Sequence, residues 1–388
     1  MRRLVAAVVL ALAVFVTYSN TLTVPFVFDD IWAIEKNPNI RRLWPITTAM
    51  TGPLDSSVDG RPLVCLTLAI NYAISGLDTW SYHVVNILIH IAAALALFSI
   101  VRRVLLLPGW GGRFEKEAFW IAWACALLWA LHPIQTQAVT YVVQRTGTMM
   151  SLFYLLTVLY FLRGLEADPR HRPWWQATSV VCAYLGMTCK EDMVTAPILV
   201  LFLDMVFVSR SVVRPLRDRP IYYAALFSSI GFLAILVMTA SRLDSISPEI
   251  TGNKTIENLK MQSNVLAHYL GLTVWPENLR VDYAWPPAPR LQDFLPAAAT
   301  VCTAIAASLL ALRFIPGLGF LGCAFFGMMA PLTLAPVMRN VGYEHRIYLP
   351  IAPLVVLLVF AGRALLDATW RALAHPTPRA RAWLAAAA

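Results

Sequence analysis

Asp29 and Asp30 are adjacent carboxylates that follow an apolar run from Leu4 to Val16, itself preceded by Met1-Arg2-Arg3. If that run crosses a membrane, the pair lies at its far mouth, where an ionisable side chain is costly to hold and is usually functional. A carboxylate in that position can serve as general base for an attacking hydroxyl. Three cations farther along also occur next to turns: Arg145 after Gln144, Lys190 before Glu191-Asp192, and Arg346 in Tyr343-Glu344-His345-Arg346. Arg and Lys can hold a phosphate leaving group and offset the charge that grows as it departs, Arg through a planar fork. Water-poor surroundings strengthen such contacts. Acids and cations together suit transfer of a group from a lipid-linked phosphate donor.

Something must bring these distant residues to one place. About ten apolar stretches have the length of a membrane span, near 20 residues each: 4–20, 83–101, 118–137, 148–163, 174–189, 193–209, 221–240, 292–312, 316–336 and 346–366. Basic residues collect in cytoplasmic loops, so Arg2 and Arg3 place the N-terminus inside. Every second loop is then basic, through Arg102, Arg103, Arg163, Arg210, Arg219, Arg313 and Arg371. The mixed-charge motifs all fall on the other side. Residues 262–280 read as an amphipathic or re-entrant helix on that outer side, because a crossing there would reverse the later loops. Two outer loops are long, 21–82 and 241–291, the first with amphipathic pieces such as Leu63 to Ile74. The catalytic unit expected is 1–370, with 371–388 a disordered tail. Cleavage of a signal peptide after Ala11-Leu12-Ala13 would cut inside the first apolar run, so that run is read as a retained helix.

Composition agrees with a polytopic all-α membrane protein. Of 388 residues 59% are hydrophobic and 14% charged, where a soluble domain carries roughly 25% charged residues. The net charge of +9 follows from the basic inner loops, so no nucleic-acid partner is expected, whereas membrane lipids are. The six cysteines form no Cys-x-x-Cys pair, which argues against a zinc site or a disulfide framework. Each motif has a plainer explanation too. Lys190-Glu191-Asp192 can be a solvated hairpin, and Arg145 and Arg346 can snorkel to lipid phosphates. His132-Pro133 can cap a helix end, and Asp30 can cap the helix from Ile31. His83, Asn86 and His90, on one helix face, suit interhelical hydrogen bonds. Asn253-Lys254-Thr255 is a glycosylation sequon in an outer loop.

Several of these segments occur in a familiar order. They are Phe26-Val-Phe-Asp29-Asp30 with Asn37-Pro38, Gly60-Arg61-Pro62-Leu63, Tyr82-His83-Val-Val-Asn86-Ile-Leu-Ile-His90, and His132-Pro133-Ile-Gln135-Thr-Gln137 with Arg145. Cys189-Lys190-Glu191 with Pro197 and Asp204, Trp275-Pro276 with Asp282-Tyr283, and Glu344-His345-Arg346-Ile-Tyr348-Leu349-Pro350 complete the set. Over residues 20 to 350 the chain resembles the GT-C membrane glycosyltransferases, and among them the transmembrane domain of TMTC O-mannosyltransferases and their bacterial relatives. The resemblance implies a GT-C-type bundle of about ten transmembrane helices. It also implies an inverting transferase that takes a sugar, mannose or a similar hexose, from a polyprenyl-phosphate donor on the non-cytoplasmic face and delivers it to a hydroxyl. The base is then Asp29 or Asp30, with Asp30 favoured for lying farther from the apolar run. The second carboxylate orients the base or acceptor, or binds a divalent ion (Mg or Mn) where one is used. Arg145, Lys190 and Arg346 bind donor phosphate. Glu191 and Glu344 hold those cations, and Arg61, His132, Gln135, His345 and His83 support the site.

TMTC proteins continue into tetratricopeptide repeats, and none is read here. The acceptor stays open among a protein, a glycan and a lipid, with room for a separate partner subunit. Two other readings compete. Block transfer of an oligosaccharide from polyprenyl pyrophosphate calls for more cations than these. A transporter or lipid-binding scaffold usually carries midplane charges and paired repeats, and no internal repeat is found.

Overall fold

A computed structural model describes residues 1–239, 252–285, 290–334 and 342–374, the side chains of 252–255, 372 and 374 excepted. Most of the expected tail and the sequon side chains therefore lie outside the described residues, which contain helices and turns but no strand. The protein is an all-α integral membrane protein. Among the described residues seven helical segments are long and apolar enough to cross a bilayer: Arg2–Thr21, Trp80–Leu105, Val142–Glu166, Pro220–Thr239, Leu291–Phe314, Pro316–Leu334 and Ile351–Arg371. The helices used below are α1 (Arg2–Tyr18), α2 (Pro62–Ser75), α3 (Trp80–Leu105), α4 (Ala118–Ala130), α5 (Arg145–Glu166), α6 (Arg172–Met187), α7 (Ala196–Leu203), α8 (Pro220–Thr239), α9 (Gly252–Val274), α10 (Leu291–Phe314), α11 (Pro316–Leu334) and α12 (Ile351–Ala374).

The other three expected spans depart from regular helices for identifiable reasons. The stretch 118–137 is broken, with α4 and Pro133–Thr140 meeting at 52°. Proline at 133 cannot continue the hydrogen-bond ladder. The stretch 174–189 becomes α6, with 16 residues, about 24 Å of helix against a hydrocarbon core of about 30 Å. Its Ser179 hydroxyl donates to the Thr157 carbonyl of α5 at 2.7 Å. The stretch 193–209 holds only eight residues of α-helix before a π-helical turn, Asp204–Val208. The fully buried Asp204 causes the irregularity. It accepts from Ser209 Oγ at 2.6 Å, Tyr223 Oη at 2.6 Å and Arg219 Nη1 at 2.8 Å, drawing the chain toward α8.

The two ends of the bundle differ sharply. At one end Arg2 lies over Phe119 and Trp120, Arg103 pairs with Glu166, and Arg363 pairs with Glu117. At the other end lie the close of α1, the start of α3, the break after α4, the start of α5 and the segment before α12. α9 lies across this second end rather than along the bundle. Its Asn258, Asn264, Tyr269 and Thr273 in turn meet Thr333 at the end of α11, Asp293 at the start of α10, Tyr343, and His132. At 23 residues α9 is longer than the sequence pattern indicates, but its polar content keeps it out of the apolar set.

Candidate active site

The acid pair sits in the turn between α1 and the π-helical turn Ile31–Glu35. Phe28, with φ +49, bends the chain just before it. The two carboxylates then diverge. Asp30 is 1% exposed. Its Oδ1 accepts from Val143 N–H at 2.7 Å and its Oδ2 from Val27 N–H at 3.2 Å. Although it occupies the N-cap position for Ile31, its side chain makes no capping bond; it instead ties the loop to the start of α5. Burial pushes its carboxyl up to about 7, despite the Val27 and Val143 N–H groups, and the Asp29 charge adds to the rise. Asp29 is exposed, and its own N–H donates to Tyr141 Oη at 2.8 Å.

The cations gather in a second cluster. Lys190 Nζ pairs with Asp192 Oδ2 at 2.9 Å, and Arg61 Nη2 with Glu191 Oε2 at 3.1 Å. Burial lowers both cations' pKa values. Asp192 opposes the shift in each case, and Arg61 and Arg346 lower Lys190 further. The turn carrying Lys190 is pressed onto α6 at Gly186, where a Cβ would fall 2.6 Å from Met193 Sδ. Arg346 lies over the Tyr343 ring at 5.8 Å. His345 stacks on the same ring at 5.3 Å, and its N–H donates to Gln137 Oε1 at 2.8 Å. Burial holds the His345 imidazole well below its ordinary pKa, and the charges of Lys190, Arg346 and Arg61 act in the same direction. A narrow cleft opens between Lys190, Asp192, Arg346, His345 and the first turns of α5 at Gly147 and Ser151.

One short helix, Thr136–Thr140, and the residue that follows it touch both groups. Gln137 touches His345, and Tyr141, whose N–H closes one turn onto the Gln137 carbonyl, touches Asp29. The acid loop and the segment carrying His345 and Arg346 thus contact residues four apart in the chain. Neither Gln137 nor Tyr141 stands out in the sequence as a site residue, though their four-residue spacing is that of helix-face neighbours.

Other expected site residues are placed differently. Arg145 is fully buried. Its Nε donates to Asn86 Oδ1 at 2.7 Å, Nη1 to Asn71 Oδ1 at 2.6 Å and Thr67 Oγ1 at 3.3 Å, and Nη2 to the Tyr82 carbonyl at 2.9 Å. Four of its five N–H groups therefore join α2, α3 and α5, and none of these contacts is in the cleft. Glu344 does not hold a cationic side chain in its described contacts; it accepts from Arg280 N–H at 2.6 Å and Tyr283 Oη at 2.7 Å. Burial raises its pKa, against both of those bonds.

His132 caps the turn Pro133–Gln135, Nδ1 accepting from Ile134 N–H and Nε2 facing the Thr273 carbonyl at 3.2 Å. Gln135 donates to the Trp129 and Tyr348 carbonyls. His83 Nε2 bonds the Val24 carbonyl at 3.1 Å, fixing the approach to the acid loop. Asn86 and His90 make interhelical bonds, His90 to Tyr348 Oη at 2.7 Å and to the Ala130 carbonyl. A divalent ion fits the acid pair poorly. Among the described residues no group of three His, Cys, Asp or Glu gathers anywhere, and both Asp30 oxygens already face N–H donors.

No family model and no solved structure matches the chain. Curated proteins do. The human protein O-mannosyl-transferase TMTC2 is 36% identical over 193 residues, 46% of this chain and 21% of that protein. The Drosophila melanogaster protein O-mannosyl-transferase Tmtc2 is 34% identical over 206 residues, 49% of this chain and 20% of that one. The mouse protein O-mannosyl-transferase TMTC1 is 31% identical over 170 residues, 42% and 17%. The chain spans about a fifth of the length of these relatives. Its helical membrane fold and these similarities together make it a protein that resembles the TMTC protein O-mannosyl-transferases.

Proposed function

We propose that this chain is an inverting glycosyltransferase that moves mannose or a similar hexose from a polyprenyl-phosphate donor to a hydroxyl acceptor. The reaction faces the non-cytoplasmic side, with the N-terminus cytoplasmic. The observation that carries this reading is that the loop of the exposed Asp29 and the segment of His345, which the charges of Lys190, Arg346 and Arg61 reach, are bonded to Tyr141 and Gln137, four residues apart.

Asp29 is assigned as the base, because an acceptor must come within hydrogen-bond reach and Asp29 is the exposed member of the pair. Asp30 fixes the loop through Val143. In the transfer step Asp29 takes the acceptor's hydroxyl proton and the acceptor oxygen forms its bond to C1. The C1–O bond to phosphate breaks with inversion, and its electron pair leaves with polyprenyl phosphate. Lys190, Arg346 and Arg61 offset the growing charge. Three cations against Asp192 and Glu191 leave one net positive charge. That balances a phosphodiester, which carries one negative charge, better than a pyrophosphate donor. Arg145 is assigned a positioning role two residues from Val143.

The similarity to proteins named O-mannosyl-transferases supports mannose as the sugar. The test is mass spectrometry of acceptors incubated with purified protein and a panel of polyprenyl-phosphate sugars. A hexose added from the mannose donor is expected. Turnover restricted to polyprenyl-pyrophosphate donors would overturn the assignment.

A further inference from the structure

The end of the bundle away from the cleft carries a cluster of arginines that the proposed reaction does not use. Arg3 opens α1, Arg102 and Arg103 stand in the last turn of α3, and Arg163 stands in the last turn of α5. The charges of Arg163, Arg102 and Arg3 all reach Arg103, and that of Arg3 reaches Arg102. Among the described residues Glu166, bonded to Arg103, is the one carboxylate in an ion pair with any of the four. Four cations against one acid leave three net positive charges. Other cations at this end are answered singly, Arg363 by Glu117 and Arg2 by the rings of Phe119 and Trp120. Arg163 is held by rings instead of an acid: its guanidinium lies 5.0 Å from the Trp175 ring and 5.9 Å from the Tyr160 ring, which stack on each other at 5.7 Å. Its Nε is buried with no hydrogen-bond partner, and an N–H of a charged group without an acceptor is costly. Like charges gathered this closely repel, so an anion is the fitting occupant.

The depth of the cluster selects the anion. All four arginines stand at ends of segments apolar enough to span a bilayer, Arg2–Thr21, Trp80–Leu105 and Val142–Glu166, which is the level of lipid phosphates. Beside them on α6, Trp174 is 74% exposed, as suits a ring at the membrane–water boundary. Basic pockets between membrane helices take anionic headgroups. We infer that the ends of α1, α3 and α5 form a seat for an anionic phospholipid, its phosphate among Arg102, Arg103 and Arg163 and its acyl chains in the bilayer. The seat is separate from the reaction cleft and does not depend on the donor proposed above.

The test is native mass spectrometry of the full chain with phosphatidylglycerol, phosphatidylcholine and glycerol phosphate as probes. Phosphatidylglycerol is expected to bind in preference to phosphatidylcholine, and glycerol phosphate is expected not to displace it. Arg102→Gln combined with Arg163→Gln is expected to lower that preference about 25-fold, fivefold for each arginine, from ~1 kcal/mol per cation beside an anionic lipid surface. Glu166→Gln, which removes the competing acid, is expected to raise it about fivefold on the same scale. Arg3→Gln, at the exposed start of the chain, gives a loss of about fivefold should the double variant fail to fold. Arg217→Gln, an exposed arginine outside the cluster, is expected to leave the preference unchanged. A preference equal in the parent and the cluster variants, or lowered as much by Arg217→Gln, overturns the inference, because the arginines then act only as part of a general basic surface. Displacement by glycerol phosphate overturns the lipid as occupant.

Discussion

The acid loop and the cation cluster are held by different means. On the acid side the backbone does the holding: Val143 and Val27 N–H groups fix Asp30, and Tyr141 fixes the Asp29 backbone. On the cation side side chains hold each other, Lys190 with Asp192 and Arg61 with Glu191. Backbone donors cannot swing aside, so the acid loop is placed rigidly relative to α5. Side-chain pairs between a carboxylate and a flexible cation can exchange partners, as the proposed capture and release of a phosphate requires. The difference predicts that damage on one side lowers turnover and damage on the other lowers donor affinity.

The largest effect is expected from Asp29→Asn. Loss of a general base costs about 10²–10⁴-fold in rate, and donor binding measured separately is expected to stay at the parent level. Asp30→Asn comes next, and pH distinguishes it. The ionised carboxylate accepts both N–H groups, and that form prevails above about 7. Transfer by the parent should therefore rise with pH through that value, and Asp30→Asn should flatten this limb while lowering the plateau. A parent profile flat across that range would remove the positioning role.

In the cation cluster, Lys190→Ala and Arg346→Ala are each expected to raise the donor KM about tenfold, in keeping with ~1.4 kcal/mol per lost charged contact. Arg145→Lys is the smallest and most discriminating change. Its ammonium cannot reproduce the fork to Asn86 and Asn71, so kcat is expected to fall severalfold with donor KM unchanged. A raised KM would return Arg145 to the phosphate.

The all-α membrane class and seven of the ten expected spans were legible in the sequence, because hydropathy reports directly on apolar helix length; the other three were shortened or broken by Pro133 and by local contacts. The helix expected over 262–280 occurs as α9, Gly252–Val274, and is not among the apolar spans. Division of labour within the site was not legible. Arg145 reads as a phosphate ligand beside Gln144, since nothing local reveals that Asn71 and Asn86, 74 and 59 residues away, converge on it. Asp30 lies farther from the apolar run than Asp29, yet distance along the chain does not report burial; the turn at Phe28 sends it inward. The irregular end of α7 depends on Asp204 meeting Arg219 and Tyr223, a contact made across the next loop.

The most direct test is to determine kcat and donor KM for Asp29→Asn and Lys190→Ala side by side, with one polyprenyl-phosphate mannose donor and one acceptor. The account predicts a collapse of kcat at parental KM for the first and a raised KM with a smaller loss of kcat for the second. Two variants that shift the same parameter to the same extent would contradict it.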